Sequence, residues 1–342
     1  MTRGTLLSLL RCPVCRAPLG LQSFVEDAFG VAEGSLRCAC GRWYPIIAGI
    51  PRFVEVSDRY REWFARYDDH LSARDLSGPG HRSVQAPATV DAFGFEWKTW
   101  DRPYTEATLR RVVLDRTQLP AASFAGRVVL DAGCGAGYQS RYMTGLGASV
   151  VGADLAAEAA GVAWRNLRGQ SALVIQADLA RLPFAPATFD LVYSEGVIHH
   201  TADPRRTFRS LAALVRPGGH IAAGLYHRPT KFSPVAMVKD AIRSVCSVLP
   251  PWVVYRLCWL HVPLAKLPGI GRILVRRGMI LEDPDDPSAR KTWMLNYDWY
   301  APHAYQYYFS QSEVRAMFED ETLGLEDIVE GDVNFLRARR RA

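Results

Sequence analysis

Between residues 127 and 226, short β-branched runs alternate with stretches in which apolar residues recur at helical spacing. The runs Val128–Leu130, Ala148–Asp154, Leu173–Ile175, Phe189–Tyr193 and Ile221–Tyr226 are bounded by glycines or acids, the pattern of buried strands. Strands separated by helices predict a mostly parallel sheet with its ligand at the strands' carboxyl ends. The first run closes on Asp131 and then on glycines 133, 135 and 137, at the start of an expected helix. Glycines there let the backbone turn tightly and approach a ligand. The second run ends on Asp154, about 20 residues further on, where a ribose-binding acid is expected in a nucleotide-binding unit. Asp178 follows the third run, and Ser194-Glu195-Gly196 ends the fourth.

Outside this core the rhythm changes. Residues 58–71 carry aromatics at helical spacing, and residues 77–87 read as a glycine- and proline-rich loop. Phe93-Gly94-Phe95-Glu96-Trp97 follows, with Trp100 and Tyr104. Residues 231–279 are apolar but interrupted by Pro250, Pro251, Pro263 and Pro268, too broken to span a bilayer. Two or three amphipathic helices capping a substrate pocket are expected, a lipid-facing or homodimer surface being the alternative. Cys246 and Cys258 belong there as core residues. After the polar stretch 282–288 comes the aromatic run 293–309, then a capping box of Ser310 and Glu313, then the last strands of the sheet. The expected units are thus 1–57, a lid segment 58–120, a core 121–230, a cap 231–309 and a closing unit 310–342.

Composition narrows the class. With 342 residues, 49% hydrophobic and 22% charged, the chain can build a sizeable core. Its net charge of +6 is mild, and the terminal Arg337, Arg339, Arg340 and Arg341 read as a solvated tail. Beyond them no basic stripe with interleaved aromatics signals nucleic acid. The N-terminus has no cleavage site of an export signal, which with seven cysteines points to thiols or metal ligands in a cytoplasmic protein.

Cys12-Pro-Val-Cys15 and Cys38-Ala-Cys40 supply four soft ligands in two close pairs, which suits tetrahedral zinc in a structural role. The segments RCPVCRAPL and LRCACGRWYPIIAGIPRF resemble the small zinc-ribbon proteins that activate tRNA and rRNA methyltransferases. DAGCGAG, GAD, ADLARLPF, FDLVYSEGVIHHTADP and LVRPGGHI, in that order, resemble the class I S-adenosylmethionine (SAM) dependent methyltransferases. The resemblance covers residues 120–230 and implies a seven-stranded, Rossmann-like sheet. It places Asp131, Gly133, Gly135 and Gly137, with the adjoining Tyr138, at the methionine end of SAM. Asp154 and Leu155 would serve the ribose, Asp178 and Leu179 the adenine, and Ser194 and Glu195 the edge facing the reacting groups. The glycine spacing departs from the redox dinucleotide pattern, which argues against NAD. FGFEW resembles a lid segment of related bacterial enzymes, so Phe95, Trp97 and Tyr104 are candidates to close the site.

Candidate catalytic groups are Glu195, His199 and Tyr226. His199 and His200 are adjacent, so only one can face the site. Methyl transfer requires mainly alignment of nucleophile, methyl carbon and sulfur, which is why the cofactor is more legible than the substrate. The leading expectation is methyl transfer to a small-molecule nucleophile of specialised metabolism. Two alternatives stay open: attack of SAM's own amine on its side chain with release of methylthioadenosine, and tRNA or rRNA methylation.

Overall fold

The computed structural model describes residues 1–55, 61–70, 83, 85–100, 104–228, 234–319, 322–329 and 333–341. The loop expected at 77–87 and the start of the helix expected at 58–71 fall largely outside these residues; a helix occupies Arg61–Arg66.

The core sheet has seven strands: β5 (Val128–Ala132), β6 (Ser149–Asp154), β7 (Ala172–Gln176), β8 (Phe189–Glu195), β9 (Val215–Tyr226), β10 (Leu323–Val329) and β11 (Val333–Arg340). Their order is β10-β11-β9-β8-β5-β6-β7. Strands β5 to β9 run parallel, while β11 is antiparallel to both β9 and β10. The chain winds outward from β5 to β7, then returns to build β8 and β9 on the other side. The strand order therefore reverses between β5 and β8, and the crevice at that switch point is where an open α/β sheet receives its ligand. Every residue of β7 and five of the six in β6 are buried, as strands covered on both faces must be.

β9 begins before the Arg216–His220 turn rather than after it. Phe189 pairs with Val215 and pairing resumes at Leu191 with His220, so the proline and glycines make a bulge within the strand. Three of the four terminal arginines, Arg337, Arg339 and Arg340, are structural rather than a solvated tail, while Arg341 follows the last strand and is exposed. The three lie on β11, where Arg337 donates to the carbonyls of Thr117 and Gln118, Arg339 to Gly218, and Arg340 to Ala213.

Ahead of the core, β1 (Gly20–Asp27), β2 (Gly30–Arg37), β3 (Trp43–Ile47) and β4 (Ile50–Pro51) form a separate antiparallel sheet. This small domain covers the edge strand β7. Phe53 N–H donates to the Gln176 carbonyl at 2.8 Å, and the Arg52 guanidinium donates to Gln176 Oε1 at 2.8 Å. Arg16 reaches the carbonyls of Leu182 and Phe184, and Arg11 N–H donates to Pro183. Leu6, Leu10, Leu36, Tyr44 and Phe53 share one apolar core with the sheet residues Val151, Leu173 and Ile175. An edge that would otherwise present unpaired backbone is thus closed from within the chain.

The cap consists of the helices Pro234–Cys246, Pro251–Cys258, His261–Ala265, Ile270–Arg276 and Ala289–Tyr300. It packs on the helix Pro87–Thr99 through a core of Ala92, Cys246, Val254, Cys258, Tyr297 and Tyr300. Arg290 fastens the two by donating to the Thr99 carbonyl at 2.9 Å. The helix Gln311–Phe318 opens on the capping box of Ser310 and Glu313 and leads into β10 and β11.

Candidate active site and thiolate cluster

A cavity of about 980 Å³ opens at the switch point, walled by the ends of β5, β6 and β8, the helix Pro87–Thr99 and the cap. Gly133, Asp154, Leu155, Asp178, Leu179, Glu195 and Tyr226 line it. Asp131, Gly135, Gly137, Tyr138, Ser194 and His199 do not.

Asp131 is buried beneath the loop and accepts a 2.5 Å hydrogen bond from Ser140 Oγ, so it holds the following helix rather than a ligand. Burial pushes its carboxyl up to about 7, against the hydroxyl that pulls it down. Ser194 Oγ donates inward to the Ala132 carbonyl. Tyr138 packs against Tyr104 with ring centroids 5.5 Å apart, and Gly137 abuts Ala163 and Leu167 of the neighbouring helix.

Gly133 and Gly135 adopt φ of +85° and +51°, a region where side chains are strained. A Cβ on Gly135 would stand 2.5 Å from the Trp97 ring, so the lid residue lies directly on the loop. Gly135→Ala is expected to cost about 3 kcal/mol, summing a left-handed residue and overpacking. Urea unfolding measures it, and combining the change with Trp97→Ala should recover the steric part only.

Asp154 ties this loop to its own strand. Its Oδ2 accepts from Gly135 N–H and its Oδ1 from Ala156 N–H, both at 2.9 Å, while the carboxylate still faces the cavity. Burial pushes its carboxyl up to about 6, with those backbone donors pulling the other way. Asp178 caps the short turn Leu179–Arg181 by accepting from Ala180 N–H, and its Oδ2 accepts from Ser83 Oγ at 2.6 Å.

Glu195 at the end of β8 is largely enclosed and paired through Oε1 with Arg116, while among the described residues Oε2 has no hydrogen-bond partner. Burial raises its carboxyl, with Arg116 and Arg111 opposing. A π-helical stretch at Arg111–Asp115 precedes Arg116, and Arg111 binds Asp283 at 2.8 Å and Asp285 at 2.6 Å. Such stretches shift a helix's register and are frequent at functional sites.

Of the two adjacent histidines, the short turn Ile198–His200 sends His200 to the cavity. His199 is wholly buried, with its ring stacked 3.7 Å from Tyr226, and burial keeps it neutral by driving its pKa well down. Among the described residues the Nε2 of His200 has no hydrogen-bond partner; its Nδ1 pairs with the Tyr305 carbonyl, and burial lowers its pKa to about 4. Neither is a ready base near neutrality.

Trp97 and Tyr104 of the expected lid line the cavity, whereas Phe95 packs on Tyr255 and Tyr297 of the cap. Tyr104 and Trp100 are already met by a cation, since Lys291 Nζ sits 3.9 Å and 4.6 Å from their centroids. Beside it lie Glu96 and Asp298, both enclosed in the cavity wall. Burial raises both carboxyls, that of Asp298 to about 6, and among the described residues Glu96 Oε2 has no hydrogen-bond partner. Sequence reading assigned no role to Glu96, Lys291 or Asp298. The only available signal was a charged residue inside each aromatic run, FGFEW and NYDWY.

In the N-terminal domain the sulfurs of Cys12, Cys15, Cys38 and Cys40 all lie within 4.8 Å of one another. Cys12 and Cys40 are 3.8 Å apart and Cys15 and Cys38 3.3 Å. Four thiolates around zinc at roughly 2.3 Å define a tetrahedron with edges of roughly 3.8 Å, so the donor set is compatible with that ion after shifts of a few tenths of an ångström or more.

Residues 130–223 match the family model of a methyltransferase domain, and residues 4–49 that of a Trm112p-like protein. The core is a methyltransferase domain. Over 132 residues it is 35% identical to a ubiquinone biosynthesis O-methyltransferase of Ralstonia nicotianae, covering 38% of this chain and 55% of that one. Over 141 residues it is 34% identical to a malonyl-[acyl-carrier protein] O-methyltransferase of Pseudescherichia vulneris, covering 41% and 53%. The chain therefore spans about half the length of the curated relatives it matches. Among solved structures, a magnesium protoporphyrin IX methyltransferase from Synechocystis with bound SAH aligns at a TM-score of 0.45 and 16% identity, over 73% of this chain and 95% of that one. The complex of the Haloferax volcanii Trm112 methyltransferase activator with a putative methyltransferase aligns at 0.43 and 14%, over 76% and 100%. Among the described residues no helix is long and apolar enough to cross a membrane.

Proposed function

We propose that the chain is a SAM-dependent methyltransferase acting on an oxygen of a small-molecule acceptor, with a structural zinc in its N-terminal domain. The observation that carries this reading is the meeting of Asp154, Asp178, the β5 glycine loop and Glu195 in one cavity at the switch point. SAM supplies a methyl group that its sulfonium already makes electrophilic. Asp154, at the cavity wall, would accept from both ribose hydroxyls, and Leu155 and Leu179 would bracket the adenine beside Asp178. Trp97, Tyr104 and Tyr226 keep water out, so the chain's contribution is alignment in a dry site. Glu195, with one oxygen held by Arg116, keeps Oε2 for the proton that the acceptor hydroxyl loses. The O-methyltransferase relatives support the choice of oxygen.

Calorimetric titration with S-adenosylhomocysteine tests the cofactor. Saturable one-to-one binding is expected, with NAD giving no heat; binding of NAD in preference would overturn the reading. The affinity should also depend on pH with a defined sign. Asp154 accepts through both oxygens only as the carboxylate, so affinity should hold above about 7 and weaken as pH falls through about 6, where the buried acid protonates and one oxygen becomes a donor.

A further inference from the structure

Surface apolar residues are concentrated on the cap. Of the 19 large hydrophobic residues exposed among the described residues, 13 lie between Met237 and Ile273. Val248 is 81% exposed, Val245 62%, Ile273 59%, and Trp252, Trp259 and Leu260 about half. These helices already bury their inner faces, through Cys246, Val254 and Cys258, on the cap core. A helix on a protein surface ordinarily presents charged residues on its outer side. Here the outer side is apolar and aromatic, so a second face awaits a partner.

The charges on the same helices say what kind. Residues 234–280 hold seven Lys or Arg against a single acid, Asp240. Arg256, Lys266, Arg272 and Arg276 are exposed among the apolar side chains. Two copies of this face would bring like charges together, which disfavours self-association. Exposed tryptophans and leucines interleaved with cations match the interfacial zone of a bilayer with anionic headgroups. The helices are 5 to 13 residues long, so they can lie on such a surface and not cross it. The cavity reaches this side of the cap, since Val235, Arg277 and Gly278 line its wall.

We propose that the cap helices dock the protein on an anionic lipid bilayer, with Trp252 and Trp259 inserted at the headgroup level. The proposal concerns the surface alone and stands whether or not methyl transfer is the reaction. The full chain would be sedimented with vesicles of phosphatidylcholine, and with vesicles of phosphatidylcholine and phosphatidylglycerol in equal parts. Binding to the mixed vesicles is expected, with a blue shift of tryptophan fluorescence and release by salt. Arg272→Glu and Arg276→Glu should each weaken it roughly fivefold or more, and Trp252→Ser with Trp259→Ser should abolish the fluorescence shift. Leu21→Ser, an exposed change on β1, should leave binding intact. All these positions are exposed, so unchanged circular dichroism identifies folded variants. Failure of the folded wild-type chain to bind mixed vesicles would overturn the proposal. So would a solution dimer that dissociates in the tryptophan variant, which would give this face to a second copy.

Discussion

Asp154→Asn is expected to weaken S-adenosylhomocysteine binding at least about a hundredfold. The loss arises twice. Both carboxylate oxygens already accept backbone N–H groups, from Gly135 and Ala156. An asparagine keeps one acceptor and turns an NH₂ toward the other donor, leaving a buried N–H unpaired at a cost of about 1–3 kcal/mol. The glycine loop would then move off the end of β6, and the remaining oxygen could no longer accept from both ribose hydroxyls. Together these exceed the roughly 2.7 kcal/mol that a hundredfold represents. Calorimetric titration gives the number, and an affinity within threefold of wild type would show that Asp154 does not touch the cofactor.

Cys38→Ser is expected to release the zinc proposed for the four-cysteine cluster and to destabilise the whole chain, not the N-terminal domain alone. Structural zinc sites contribute folding free energy directly, and three ligands hold the ion much less well than four. The small domain shares its apolar core with the sheet, and through Phe53 and Arg52 it pairs with the β7 region. When it loosens, the edge strand and the apolar side of the sheet are exposed together. A fall in melting temperature of about 4 °C or more is expected, equivalent to about 3 kcal/mol or more for a chain of this length, together with loss of the single zinc by atomic absorption. A variant that loses zinc yet melts as the wild type does would mean that the ribbon folds and docks without its metal.

The parts of the molecule legible in the sequence are those whose signal is local. Strands β5 to β8 read directly because burial on both faces writes continuous apolar runs, and their ends read because Asp131, Asp154 and Glu195 interrupt them. The four cysteines read because close pairs are a local pattern. What misled was direction. Asp131 and Ser194 sit at strand ends just as Asp154 and Glu195 do, yet they point into the core, a matter of strand register that spacing alone does not set. The choice between His199 and His200 depends on a turn too short to carry periodicity. The cluster of Glu96, Lys291 and Asp298 joins segments about 200 residues apart in sequence, so only the packing of the cap on the lid helix creates it. The arginines of β11 looked like a tail because strand pairing with β9, across more than 100 residues, is invisible locally.

Methyl transfer leaves a signature in the products of SAM turnover. The purified chain would be incubated with SAM alone and with SAM plus a small-molecule extract, and the nucleoside products followed by mass spectrometry. S-adenosylhomocysteine is expected only when acceptors are present, together with a product heavier by one methylene. Methylthioadenosine accumulating from SAM alone, above the rate without enzyme, would contradict methyl transfer and assign the cavity to attack on SAM's own side chain.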